Sequence, residues 1–127
     1  MTFFKSEGND AVLHYESDDS EKTISIDLAM PLSLIVNELL ANSFKYAFKN
    51  RVNNKIIISF KGDGSDESPF ILKVNDNGIG AQGKFDPKNA LTLGAVLIEA
   101  LIDQLSAEYE ISDQNGTSVE VIFKSPA

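Results

Sequence analysis

The sequence predicts an α+β domain: a two-layer α/β sandwich in which a mixed, mostly antiparallel sheet carries helices on one face. Three observations predict it. Segments that read as strands come in pairs, and two other segments keep a helical apolar period. Their order is strand, strand, helix, strand, strand, irregular loop, helix, strand, strand. The 127 residues suit one domain with one core, so 1–127 is expected to be a single unit.

Each element has its own justification. Residues 1–10 read as a loose start and 12–15 as a short strand. The polar run 17–22 reads as a hairpin loop. In 23–28, Ile24 and Ile26 alternate with Ser25 and Asp27, as in a half-buried strand. Pro31 suits the first turn of a helix, where its missing N–H costs nothing. That helix is expected over 32–48, with Leu34, Ile35, Leu39, Leu40, Phe44 and Phe48 packing inward, and it ends before the turn-like 50–54. Residues 55–61 and 70–74 read as strands around the glycine-rich turn 62–66. Residues 75–92, with several glycines and Pro87, read as irregular. A second helix is expected over 93–105, with Val96, Leu97, Ala100, Leu101 and Leu105 on its apolar side. Strands 109–111 and 118–123 close the pattern around Asn115-Gly116.

Composition narrows the function. Hydrophobic residues at 43% and charged residues at 24% give the balance of a soluble globular domain. The absence of cysteine excludes disulfides, thiolate metal sites and cysteine nucleophiles. A single histidine, His14, excludes a multi-histidine metal centre and is expected to be structural or merely exposed. The net charge of -8 speaks against nucleic-acid binding, which needs a basic footprint. It leaves nucleotide binding open, because helix N-termini and Mg²⁺ can hold phosphates. No apolar run is long enough to cross a bilayer, and the N-terminus lacks a signal-peptide core. Cytoplasmic placement, with no membrane contact, is the expectation.

Three places carry chemistry. On the first helix, Glu38, Asn42, Lys45 and Tyr46 fall at i, i+4, i+7 and i+8, along one face. Asn42 can offer Mg²⁺ an oxygen, and Lys45 can reach a phosphate. An ordinary solvated helix face shows the same spacing. After the strand 70–74, Asp76-Asn77-Gly78-Ile79-Gly80 sets a carboxylate beside backbone that a ligand can approach closely. Asp76 can accept a hydrogen bond from an exocyclic amine, although Asp-Asn-Gly is also a common turn sequence. The loop is neither a Walker A loop nor a Rossmann turn, since no Gly-Lys-Ser/Thr and no third glycine with a helix follows. Finally, Thr92-Leu93-Gly94 opens the second helix, where free N–H groups favour an anion; Thr92 also fits as a simple N-cap.

Taken in order, these elements resemble the ATP-binding domain of the gyrase, Hsp90, histidine-kinase and MutL superfamily, and most of all the catalytic domain of sensor histidine kinases. The run MPLSLIVNELLANSFKYAF, from Met30 to Phe48, resembles the N box. Asp76-Asn77-Gly78-Ile79-Gly80 resembles the G1 box, and Thr92-Leu93-Gly94 a reduced G2 box. Gly116-Thr117 resembles the Gly-Thr before the last strand. The resemblance covers about 23–124 and implies a Bergerat-type fold that takes ATP and Mg²⁺. It implies that Asp76 receives the adenine amine, with Thr117 supporting that contact. Asn42 would hold Mg²⁺ against the phosphates, Lys45 would contact a phosphate, and Tyr46 would border the nucleotide. Gly78 and Gly80 would let the loop pass close to the base. Leu93, Gly94 and nearby amides would meet the phosphates. Glu38 matches the general base of the ATP-hydrolysing members, and residues 81–92 would be an ATP lid.

Two departures bear on this. Gly94 is the one glycine of the G2 box, and no helix pair with a phosphoacceptor histidine accompanies the domain. The implied partners are a separate dimerisation and histidine-phosphotransfer domain and, downstream, a response regulator. Such a domain is expected to have little activity alone. A stand-alone serine/threonine kinase of the anti-sigma-factor type is a second reading. A non-catalytic nucleotide-binding regulatory module is a third.

Overall fold

The computed structural model describes residues 2–6, 9–19, 22–44, 53–78, 93–112 and 116–125. The strands are β1 Thr2–Ser6, β2 Asn9–Ser17, β3 Asn54–Lys61, β4 Phe70–Asp76, β5 Glu108–Ser112 and β6 Ser118–Phe123. The helices are α1 Ile26–Asn42 and α2 Leu93–Gln104. One six-stranded sheet has the order β1-β2-β3-β4-β6-β5. Only the β2–β3 pairing is parallel, because α1 crosses between those two strands; every other pairing is antiparallel. The sheet is therefore mixed and mostly antiparallel, as expected.

Alternation decides which sheet face is covered. In β4, Phe70, Leu72, Val74 and Asp76 are buried, while Lys73 between them is exposed. Val119, Val121 and Phe123 of β6 continue the same rows through their pairing with β4. These residues share one core with Leu28, Leu32, Ile35 and Leu39 of α1 and with Ala95, Ile98, Leu101 and Ile102 of α2. Both helices thus lie on one face, giving the two layers. Aromatic rings cluster at one end of the core: the Phe70 centroid lies 5.2 Å from that of Phe60, which stacks on it, and 5.2 Å from that of Phe123, which is tilted.

Several expectations need correction. The first ten residues are not a loose start: β1 forms there and pairs with β2. His14 consequently sits in an interior strand, 3.6 Å from Glu16. The segment 23–28 is not a strand, since α1 already begins at Ile26. The alternation there was outweighed by the helical row Leu28, Leu32, Ile35, Leu39, which buries one stripe and leaves Ile26 70% exposed. The run 17–22 accordingly links β2 to α1 rather than joining two strands. Pro31 stands inside the helix rather than in its first turn, so it has no N–H to give the Asp27 carbonyl.

The helix faces are also rotated from those expected. Leu34 is exposed and Leu40 and Phe44 are half-buried; Phe48 lies outside the described residues. On α2, Val96 and Ala100 point outward, and Ala95, Ile98 and Ile102 take the inward positions instead. No helix among the described residues is long and apolar enough to cross a membrane.

Candidate functional site

The buried row of β4 ends in a carboxylate. Asp76 occupies the next core-facing position after Phe70, Leu72 and Val74, and it is 3% exposed. A buried carboxylate needs hydrogen bonds to offset its lost hydration. Three elements supply them. The Ser43 hydroxyl, at the end of α1, donates to Oδ2 at 2.8 Å. The Gly78 N–H, in the loop after β4, donates to Oδ1 at 3.0 Å. The Thr117 N–H, just before β6, donates to Oδ1 at 3.1 Å. The backbone of Asp76 is held too, since its own N–H donates to the Thr117 carbonyl at 2.9 Å.

Two further residues shape this corner. Gly116 adopts a φ of +100°, and a Cβ there would run into the carbonyl oxygen of Asp76. Asn77 braces the other side: its Oδ1 accepts from the Lys55 N–H at 2.8 Å, and its Nδ2 donates to the Asn53 carbonyl at 3.0 Å. This ties the exit of β4 to the start of β3.

The α1 contribution comes from its last turn. Asn42 closes the helix, and Ser43 and Phe44 follow in a wider π-type turn, a feature common at functional sites. Asn42 is half-buried, and its Nδ2 is buried with no hydrogen-bond partner among the described residues. Glu38, one turn earlier on the same flank, is half-buried. An apolar groove of about 460 Å³ opens beside Val36, Leu40, Ile58 and Phe60. Helical geometry puts Val36 and Leu40 on the other flank of α1 from Glu38 and Asn42, so the groove is separate from this corner.

The structure therefore brings Asp76, Gly78 and Thr117 together, with Asn42 adjoining through Ser43. Leu93 and Gly94 form the first turn of α2, as expected. Lys45, Tyr46, Gly80 and the expected lid 81–92 lie outside the described residues. Ser43 and Asn77 were not picked out from the sequence. A serine inside an apolar helix carries no local signal, and an asparagine before glycine reads as an ordinary turn residue.

These residues leave hydrogen-bonding positions that fit a nucleotide. An ionised carboxylate offers about four acceptor positions, and three are filled here, leaving one on Oδ2 for a donor. The Nδ2 of Asn42, a donor with no partner among the described residues, can give a hydrogen bond to a ligand oxygen. Among the described residues no cluster of three or more acidic or histidine side chains could hold a metal by itself.

No protein-family model and no curated protein matches the sequence. Solved structures do match. The histidine kinase domain of the Erythrobacter litoralis EL346 blue-light activated histidine kinase superposes with a TM-score of 0.72 at 22% identity, over 90% of this chain and 51% of that one. The chain thus spans about half of that domain structure, and 35% of the longer EL346 structure. The catalytic domain of histidine kinase ThkA matches with a TM-score of 0.70 at 18% identity, over 92% of this chain and 81% of that one. Acinetobacter baumannii histidine kinase AdeS matches at 0.64 and 15%, over 92% of this chain and 55% of that one. The chain has the fold of histidine kinase catalytic domains.

Proposed function

We propose that this chain is the ATP-binding catalytic domain of a sensor histidine kinase, working in the cytoplasm. The observation that carries the reading is Asp76: a buried carboxylate held by three donors from three elements, with one acceptor position left over. In this reading that position takes the 6-amino group of adenine. Thr117 and Gly78 hold the carboxylate in place, and Gly80 would let the loop pass close to the base.

Phosphoryl transfer asks mainly for positioning and charge neutralisation. Asn42 would hold Mg²⁺ through its side-chain amide oxygen. When bound, the metal neutralises phosphate charge. Lys45 would contact a phosphate, Tyr46 would border the nucleotide, and Leu93 and Gly94 would offer α2 N–H groups to the phosphates. Glu38, on α1, would orient the transferring group, and residues 81–92 would form the lid. The γ-phosphate would then face a histidine on a separate dimerisation and phosphotransfer domain, from which a response regulator receives it. Acting alone, the domain would have little activity.

The test is calorimetric titration with a non-hydrolysable ATP analogue, with and without Mg²⁺, on wild type and Asp76→Asn. Binding that Mg²⁺ strengthens and Asp76→Asn abolishes is expected. A wild-type chain that binds no adenine nucleotide would overturn the reading and leave a partner-binding module in its place.

A further inference from the structure

We propose that Ser43 is a specificity-determining positioning residue, locking the Asp76 carboxylate in the one orientation that selects a purine bearing a 6-amino group. The proposal rests on the nucleotide-site reading above and adds a residue to it.

The geometry is specific. The Ser43 Oγ lies 2.8 Å from Asp76 Oδ2 and 3.2 Å from the Leu39 carbonyl oxygen. A hydroxyl has one hydrogen to give, and the shorter approach to a carboxylate oxygen takes it. Ser43 is 5% exposed and Asp76 3%, so water does not compete freely for this bond. The other two donors, Gly78 and Thr117, both reach Oδ1. Oδ1 is therefore held by backbone, and Ser43 adds the restraint on Oδ2 that resists rotation of the carboxylate about its Cβ–Cγ bond. Ser43 is the donor, among the described residues, that pins Oδ2.

The consequence is chemical selection. With Oδ2 pinned, its remaining lone pair has one direction. A 6-amino group can donate along it. A guanine base presents a carbonyl oxygen at the same place, and two acceptors then face each other. A carboxylate free to tilt would relieve that conflict by turning toward another donor on the base edge. Losing Ser43 thus weakens the amine-bearing base and relaxes discrimination together.

The experiment compares wild type, Ser43→Ala and Ser43→Thr against three ligands: a non-hydrolysable ATP analogue, its guanine counterpart, and purine riboside triphosphate, which lacks the 6-amino group. Affinities are read by calorimetry. Ser43→Ala is expected to weaken the ATP analogue about tenfold, because the hydrogen bond from the adenine amine to the carboxylate loses its alignment. It is expected to change purine riboside triphosphate less than about twofold, and Ser43→Thr is expected to restore the wild-type pattern. Should Ser43→Ala not fold, Ser43→Cys, a weak donor of similar size, gives the same comparison. Equal weakening of the ATP analogue and purine riboside triphosphate would overturn the proposal while leaving the nucleotide site standing. No binding of the ATP analogue to wild type would overturn both.

Discussion

Gly116 packs its backbone directly against Asp76, leaving no room for a side chain between them. The two residues are forty positions apart in the sequence, yet the contact sets how the entry to β6 approaches the end of β4. Its neighbour Thr117 then delivers an N–H to the Asp76 carboxylate at 3.1 Å. A positive φ and a tight backbone approach thus support one hydrogen bond.

Gly116→Ala tests this support. The added methyl meets backbone, which cannot rotate away, at a φ of +100°. A loss of about 1–3 kcal/mol in unfolding free energy is expected. Urea denaturation measures it, and nucleotide affinity is expected to fall in parallel. Wild-type stability in the variant would show that the turn rearranges freely.

Asp76→Ala removes the acceptor for three donors at once. The Gly78 and Thr117 N–H groups lose their Oδ1 acceptor in a buried corner, and the Ser43 hydroxyl keeps only the Leu39 carbonyl at 3.2 Å. A cost of about 3 kcal/mol is expected, with Asp76→Asn intermediate because it keeps one acceptor oxygen. The order wild type, then Asn, then Ala is read from denaturation midpoints. An alanine variant as stable as wild type would mean that the three bonds contribute no net stability.

Asn42→Ala is expected to behave in the opposite way. Its Nδ2 already lacks a partner among the described residues, so little is lost in the free protein. Alanine is also the better helix former. Stability is expected to stay within about 0.5 kcal/mol of wild type, while the Mg²⁺-dependent gain in nucleotide affinity disappears. A variant that keeps that gain would remove Asn42 from the metal's surroundings.

Asp63 gives a pH signature unrelated to the site. In the turn between β3 and β4 its carboxyl accepts from the Ser65 hydroxyl and, at 3.0 Å, from the Ser65 N–H. Those bonds lower its pKa from the ordinary value of 3.8. A carboxyl whose folded-state value is depressed contributes stability above its unfolded value and loses it as pH falls through the folded one. The stability difference between wild type and Asp63→Asn is therefore expected to be flat near neutral pH and to shrink below about pH 4. A difference that ignores pH would mean that the bonds do not favour the charged form.

Much of this arrangement was legible along the chain. The strand 118–123 and the helix starting at Leu93 stand where their patterns put them. Asp76 and Gly78, chosen from one motif, and Thr117, chosen from another, meet in one corner. Ser43 was not legible, because the hydrogen bond that gives it a role joins two elements far apart in sequence. The start of α1 was misread because 23–28 satisfies a strand's alternation locally, and only the core shows that Leu28 belongs to a helical stripe.

The sequence by itself determined the alternation of β4 and β6, the helical periods of α1 and α2, and the placing of a carboxylate where the apolar row of β4 ends. These are properties of neighbouring residues, and neighbours set local geometry. Tertiary structure decided the parallel seat of β2 beside β3, the face that α1 buries, and the three donors that converge on Asp76. Each of those depends on which strands and helices become neighbours, and that choice is made when the whole apolar face finds its cover.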